Sequence, residues 1–326
     1  MKTTVHRFKC LLAAGVVALG ATAAIADTTK PITLVVPYTP GGTTDILART
    51  IATHMSEGLG TNVVVDNRPG SGTIIGAQVV ARAPGDGKTL LMATSTTLAI
   101  NPALYKSIPY TPTDFVPVGL VAKIPLVIVV PPTLQVNTLQ DLVRLAKEKP
   151  DFLSFGSAGN GSPQHLAAEM FKSAAGVSMV HVPYRGTSAA LADLLTGRVG
   201  VLFSDLAPVI PHIRAGSLRA LAVTTSERLS SLPDVPTVSE SRVAGTSGYE
   251  AVAWQSVVAS PGTPPDVVRP YSEELSKILS RTDVKDKLRA EGVYVQSSTP
   301  EELAAYLKTE MSRWAEVVKT SGASVD

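Results

Sequence analysis

Residues 34–49, Leu-Val-Val-Pro-Tyr-Thr-Pro-Gly-Gly-Thr-Thr-Asp-Ile-Leu-Ala-Arg, carry an apolar strand through two glycines straight into a helix. A helix that starts where a strand ends must pack back on that strand's own sheet, which is the repeating unit of an α/β fold. Gly41 and Gly42 are expected to take positive φ and to let the backbone approach a partner closely. Thr43, Thr44 and Asp45 form the first helical turn, whose unpaired N–H groups carry the positive end of the helix dipole. Such a turn holds an anion without any basic side chain. Many strand-to-helix turns nevertheless use glycine only to make the bend.

The same physics recurs at residues 155–165, where Gly156, Gly159 and Gly161 precede Ser162 as N-cap and Pro163 at the first helical position. Two such starts, more than a hundred residues apart, predict one small anion clamped from two sides. Strands expected at 32–36, 63–65 and 89–93 alternate with helices. A second series begins with a strand at 126–130 and continues through 153–155, 179–182, 199–204 and 218–223. One further strand at 254–259 precedes helical stretches at 267–279, 284–290 and 301–318, which cannot build a sheet and are expected on the first domain. The reading is α/β and two-lobed, with domain 1 at residues 27–125 and 251–326 and domain 2 at 126–250. The site is expected in the cleft beyond the carboxyl ends of the strands.

Lys2, Arg7 and Lys9 precede an apolar run at residues 11–24 that is too short to span a bilayer, and Ala24-Ile25-Ala26 fits a small-residue cleavage site. A secretory signal peptide is therefore expected at residues 1–26, and no stop-transfer pattern supports a membrane anchor instead. The single cysteine, Cys10, lies inside that segment, so the mature chain is expected to have no disulfide, thiolate metal site or cysteine nucleophile. Without those three basic residues, 26 Lys and Arg face 27 Asp and Glu. A near-neutral surface without basic runs leaves no footprint for nucleic acid or anionic membrane.

Gly-Gly-Thr-Thr lacks the spacing and the lysine of a nucleotide P-loop, and Gly70-Ser71-Gly72 fails the dinucleotide fingerprint. Of the five histidines, His6 lies in the signal, and no pair has metal-ligand spacing with a carboxylate. No metal and no cofactor are expected. His165 with Ser157 or Ser162 and Asp205 has the composition of a hydrolase triad but lacks a Gly-x-Ser-x-Gly elbow; the alternative is a structural His165 bonded to a turn carbonyl. Arg185, at a strand end, either pairs with a carboxylate or is a solvated loop arginine. Asp205 either accepts from a ligand or caps the helix after it. Tyr38 either covers a bound molecule or packs in the core.

Pro37-Tyr38-Thr39-Pro40-Gly41-Gly42-Thr43-Thr44-Asp45, Asn67-Arg68-Pro69-Gly70-Ser71-Gly72 and Ala83-Pro84-Gly85-Asp86-Gly87-Lys88 are joined, in order, by residues 156–166, Val182-Pro183-Tyr184-Arg185-Gly186 and Leu232-Pro233-Asp234-Val235-Pro236-Thr237. Together they resemble the Bug family of extracytoplasmic solute receptors, the binding components of tripartite tricarboxylate transporters. The resemblance covers essentially the whole mature chain; Lys88, where an aromatic is common, and Ser71, where alanine is common, are small departures. It implies a type II-like periplasmic binding protein fold, each lobe a mainly parallel sheet flanked by helices, and a receptor rather than an enzyme. The implied ligand is a small carboxylate: a dicarboxylate or tricarboxylate, an acidic amino acid or an aromatic acid. The implied partners are membrane permease subunits or a sensor protein, with the receptor a periplasmic monomer. By resemblance, Tyr38, Pro40, Gly41, Gly42, Thr43, Thr44 and Asp45 form one ligand loop. Ser157, Ala158, Gly159, Asn160, Gly161, Ser162 and His165 form the other. Tyr184, Arg185, Gly186, Thr187 and Asp205 are the candidates for the ligand's distal group. A secreted serine hydrolase is the competing reading from another class.

Overall fold

Strand β1 (Ile32–Val36) lies between β2 (Val63–Asn67) and β3 (Thr89–Thr94), all parallel, as the strand–helix alternation requires. The structure is a computed structural model that describes residues 30–321 together with Ala323 and Val325. The expected signal peptide lies outside the described residues. Helix α1 (Thr43–Leu59) covers this sheet because Leu47, Ala48, Ile51, Ala52 and Met55 recur on one face and are buried; Gly60 in the left-handed region ends it. Helix α2 (Ile74–Ala81) packs on the sheet after β2.

Two long strands join the lobes. β4 (Val116–Val130) runs antiparallel to β9 (Val252–Ala259) from Val116 through Pro125, and from Leu126 onward it pairs instead with β7 (Val201–Asp205) and β8 (Arg219–Val223). The strand expected to start at residue 126 therefore begins at Val116. Pro117 and Pro125 look like breaks in the sequence, but one sits at a bulge and the other where the strand changes partners, places that tolerate a missing N–H. At this crossing the buried Thr224 hydroxyl donates to the Ala251 carbonyl, 2.6 Å, and accepts from Leu126 N–H, 3.2 Å.

Lobe 1 has the order β2-β1-β3-β9-β4, with the short β10 (Tyr294–Val295) on the far side of β4. In lobe 2, β4 is followed by β7, β5 (Ser154–Ser157) and β6 (Val180–Pro183); β5 is parallel to both of its neighbours. A π-helical turn, Thr96–Ile100, leads from β3 into α3 (Asn101–Leu104). Lobe 2 carries α4 (Leu139–Glu148), α5 (Pro163–Ala175), α6 (Thr187–Leu195) and α7 (Leu206–Arg214). Thr138 and Asp141 close a capping box on α4.

The C-terminal helices are α8 (Pro265–Ser280), α9 (Thr282–Ala290) and α10 (Pro300–Ser321). Helix α8 packs on α1 and β4, and α10 touches α5 of lobe 2 as well as lobe 1. Trp254, at the start of the crossing strand β9, and Trp314 both donate to Oε2 of the buried Glu310, at 2.7 and 3.0 Å. Arg313 of the same helix donates to the Glu250 carbonyl, 3.0 Å. The last helix thus braces the segment that passes between the lobes. No helix among the described residues is long and apolar enough to cross a membrane.

Candidate functional site

The carboxyl ends of β1, β3, β5, β6 and β7 face one another across the cleft and enclose a cavity of about 70 Å3, room for a small solute. Helices α1, α5, α6 and α7 all begin at its wall, through Gly42, Thr43 and Thr44; Pro163 and Gln164; Gly186 and Thr187; and Asp205 and Pro208. Among the described residues no lysine, arginine or histidine lines it. The partial positive charge in its wall is that of helix N-termini, and among the described residues one carboxylate, Asp205, also lines it.

The first loop is held from behind. Asp45, buried in the first turn of α1, accepts from Gly41 N–H at 3.0 Å, Arg49 Nε at 2.8 Å and Asn67 Nδ2 at 3.0 Å. Burial pushes its pKa up, but these three donors outweigh burial and leave the carboxyl below its usual range. Asp45, Gly41 and Pro40 lie outside the cavity lining, whereas Tyr38, Gly42, Thr43 and Thr44 are part of it. Gly41 has the expected positive φ of 86°, but Gly42 does not: at φ −88° and ψ 172° it is an extended N-cap without a side-chain capping bond. Glycine at an N-cap needs no left-handed geometry, which corrects the expectation for Gly42.

The second loop is self-bonded. Ser162 accepts from His165 N–H at 3.3 Å and donates to the Gly159 carbonyl at 2.7 Å. His165 Nδ1 accepts from Gly161 N–H at 3.1 Å, so the histidine holds a turn N–H rather than the carbonyl expected of it. Its ring stacks on His181, centroids 3.9 Å apart, and His181 stacks on Phe155. Ser157 Oγ is 2.7 Å from His181 Nε2, so the serine is paired with a different histidine from the one the hydrolase reading named, and Asp205 bonds to neither. Of this loop only Ala158 lines the cavity; Ser157, Gly159, Asn160, Gly161, Ser162 and His165 shape it from outside. Gly161, at φ 70°, lies against the end of the Leu104 side chain of lobe 1, which a Cβ there would displace.

In the third turn, Gly186 at φ 145° begins α6 without a side-chain cap, and Thr187 follows it on the wall. Tyr184 turns away to donate to Asp193 at 2.8 Å, and Arg185 is exposed outside the lining. Asp205 begins α7 without capping it. Its carboxylate accepts instead from Thr43 Oγ1, 3.1 Å across the cleft, and from Gln164 Nε2, 2.7 Å. The Thr43 bond links the lobes, and the Gln164 bond holds the carboxylate within lobe 2.

Sequence reasoning missed Thr94, the last residue of β3, and Ser95 and Thr96 after it, which line the cavity, and Gln164 and Gln255. The three hydroxyl residues stand at a strand end like the other turns, but lack the glycine that identified those. Tyr38 Oη donates to Thr96 Oγ1 at 3.4 Å, and Gln255 Nε2 donates to Thr44 Oγ1 at 2.9 Å.

These groups make stability depend on pH with opposing signs. Burial, followed by the neighbouring charges, lowers His165 to about 3 and His181 to about 4. Between about pH 6 and 4 the unfolded chain therefore binds two more protons at these sites, and stability falls on acidification. Burial raises Asp205 to about 6, so over the same interval the folded chain holds one proton more there, and stability rises on acidification. The net of about one proton predicts a loss of roughly 1.4 kcal/mol per pH unit. Urea unfolding of the wild type at pH 6 and pH 5 should show this slope, and Asp205→Asn, which removes the opposing term, should about double it. An unchanged slope in that variant would remove Asp205 from the balance.

Two α/β lobes joined by crossing strands, with a polar cavity at the strand ends between them, define a solute-binding protein. The profile of the tripartite tricarboxylate transporter family receptor, TctC, matches residues 47–323, and the chain belongs to this family of Bug receptors, which are not enzymes. It is similar to the protein of the tcbD–tcbE intergenic region of a Pseudomonas species, 43% identical over 89% of this chain and 85% of that one. Protein BugT of Bordetella pertussis is 36% identical over 91% of this chain and 90% of its own. Among solved structures, an R. palustris protein with adipate has a TM-score of 0.87 at 38% identity, covering 91% of this chain and 98% of its own. MatC from Rhodopseudomonas palustris with bound malate has a TM-score of 0.81 at 31% identity, covering 89% and 99%.

Proposed function

We propose that the protein is a periplasmic receptor that closes on a small carboxylate solute and delivers it to the membrane subunits of a tripartite tricarboxylate transporter. The observation that carries this reading is the ring of four helix N-termini around a cavity without basic side chains, in which the lining carboxylate, Asp205, is engaged by Thr43 and Gln164. The uncapped first turns of α1, at Gly42, Thr43 and Thr44, and of α6, at Gly186 and Thr187, hold the carboxylate. The adipate and malate of the two R. palustris structures support the ligand class.

A thermal-shift screen of organic acids, followed by calorimetry, tests the reading. A carboxylate at a hundred times its dissociation constant should add about 2.7 kcal/mol of stability. No shift with any mono-, di- or tricarboxylate would refute it. Small-angle scattering should also show a smaller radius of gyration with ligand, since capture favours the closed arrangement in which Thr43 and Asp205 meet.

A further inference from the structure

A second contact between the lobes lies outside the cavity. The turn that joins α9 to β10 in lobe 1 rests against the first turn of α7 in lobe 2: a Cβ added to Gly292 would stand 2.7 Å from Leu206 Cγ and 3.1 Å from the backbone nitrogen of Ala207. Packing crosses in both directions there. Ala207 packs against the apolar core of lobe 1, Tyr294 packs against that of lobe 2, and Tyr294 Oη lies 3.0 Å from Ser231 Oγ of lobe 2. The residues on either side of Leu206 and Ala207, which are Asp205 and Pro208, line the cavity, and Asp205 accepts from Thr43 across the cleft. The start of α7 is therefore engaged by lobe 1 twice, once at the cavity and once at the 292–294 segment.

Both attachments sit where β4 changes partners: Tyr294 pairs with Lys123, and Asp205 with Leu126. A rotation of lobe 2 about this crossing that parts Asp205 from Thr43 also moves Leu206 and Ala207 over Gly292, because all of them belong to one helix start. Closely packed surfaces of this kind hold discrete arrangements rather than a continuum. From this shared element we infer that the 292–294 segment sets how much of the receptor is closed: Gly292 and Tyr294 are positioning residues for capture, which stand outside the cavity lining and act through α7. The inference rests on capture by closure, proposed above, and adds residues remote from the solute that determine affinity. Where only the closed form captures the solute, apparent affinity scales with the closed fraction. A side chain at position 292 crowds Leu206 and the backbone of Ala207 in the closed arrangement, and opening relieves it.

The experiment is calorimetry on the intact mature protein with adipate and L-malate, joined to small-angle scattering of the ligand-free protein. Gly292→Ala should bind the acid that the wild type prefers about tenfold more weakly or worse, and should show a larger ligand-free radius of gyration. Gly262→Ala is the control: its φ of 76° matches the 78° of Gly292, but nothing lies within 4 Å of its Cβ, so it carries the backbone strain without the contact and should keep wild-type affinity and radius. Tyr294→Phe keeps the ring and loses the bond to Ser231; it should weaken binding about threefold, and adding Ser231→Ala should weaken it no further. This variant decides the matter if Gly292→Ala does not fold. Wild-type affinity in folded Gly292→Ala and in Tyr294→Phe, whatever their melting temperatures, makes the segment structural only and overturns the inference. So does an equal loss of affinity in Gly262→Ala and Gly292→Ala. If the wild type binds neither acid, the choice of solute fails separately, and the ligand-free scattering decides: equal radii in Gly292→Ala and Gly262→Ala overturn the inference, and a larger one in Gly292→Ala alone supports it.

Discussion

Gly186→Val is expected to weaken carboxylate binding by about 100-fold or more in a protein that still folds. Gly186 sits at φ 145° and ψ 164°, a region essentially reserved for glycine, and it is the uncapped residue from which α6 starts at the cavity wall. A β-branched residue must move to negative φ, which re-aims the first turn of the helix. Loss of two charge-assisted hydrogen bonds to a carboxylate, each worth roughly 1.5 to 3 kcal/mol, gives the stated factor. Isothermal titration of the variant against the tightest acid of the screen measures it. Affinity within threefold of wild type, in folded protein, would take α6 out of the site. Gly42→Ala is the control for backbone strain: at φ −88°, with nothing within 4 Å of the new Cβ, its folding stability should stay within about 0.5 kcal/mol of wild type.

The largest effect on stability is expected from Glu310→Ala. Trp254 and Trp314 both use Oε2 of this buried carboxylate, so the substitution leaves two buried indole N–H groups without acceptors and opens a void. Each orphaned donor costs about 1 to 3 kcal/mol, and the variant should lose on the order of 4 kcal/mol in urea unfolding followed by circular dichroism. Glu310→Gln keeps an acceptor oxygen and should lose about half as much. A loss under 1 kcal/mol for the alanine variant would mean that the carboxylate is not what holds the two indoles.

The helix starts could be read locally, because a cap is a local requirement: Ser162 followed by Pro163, or Gly42 followed by two threonines, signals a helix whatever surrounds it. Residue type did not settle backbone angle, so Gly41 and Gly42 looked alike although only one has positive φ. Side-chain partners across the molecule were not legible. Gln255 reaches Thr44 only because β9 is placed beside β3, and His165 meets His181 only because β5 and β6 pair. The early start of β4 at Val116 was not legible either, because Pro117 and Pro125 fall within it at a bulge and at a change of partners. The hydroxyl run after β3 was visible, but without a glycine it gave no sign of a turn.

The placement of β9 between β3 and β4 also governs the order in which the chain can acquire its structure. Val252–Ala259 is made more than a hundred residues after either neighbour, and β3 and β4 pair with it, side by side, rather than with each other. During synthesis the sheet of lobe 1 therefore stays split until residue 259 has emerged, and Trp254 waits longer still for Glu310. Contacts of such long sequence separation form slowly, because the loop they close must be ordered first. A nascent chain of this design cannot complete lobe 1 ahead of its own C-terminal third, which gives any machinery that handles unfolded polypeptide a long interval in which to act on it.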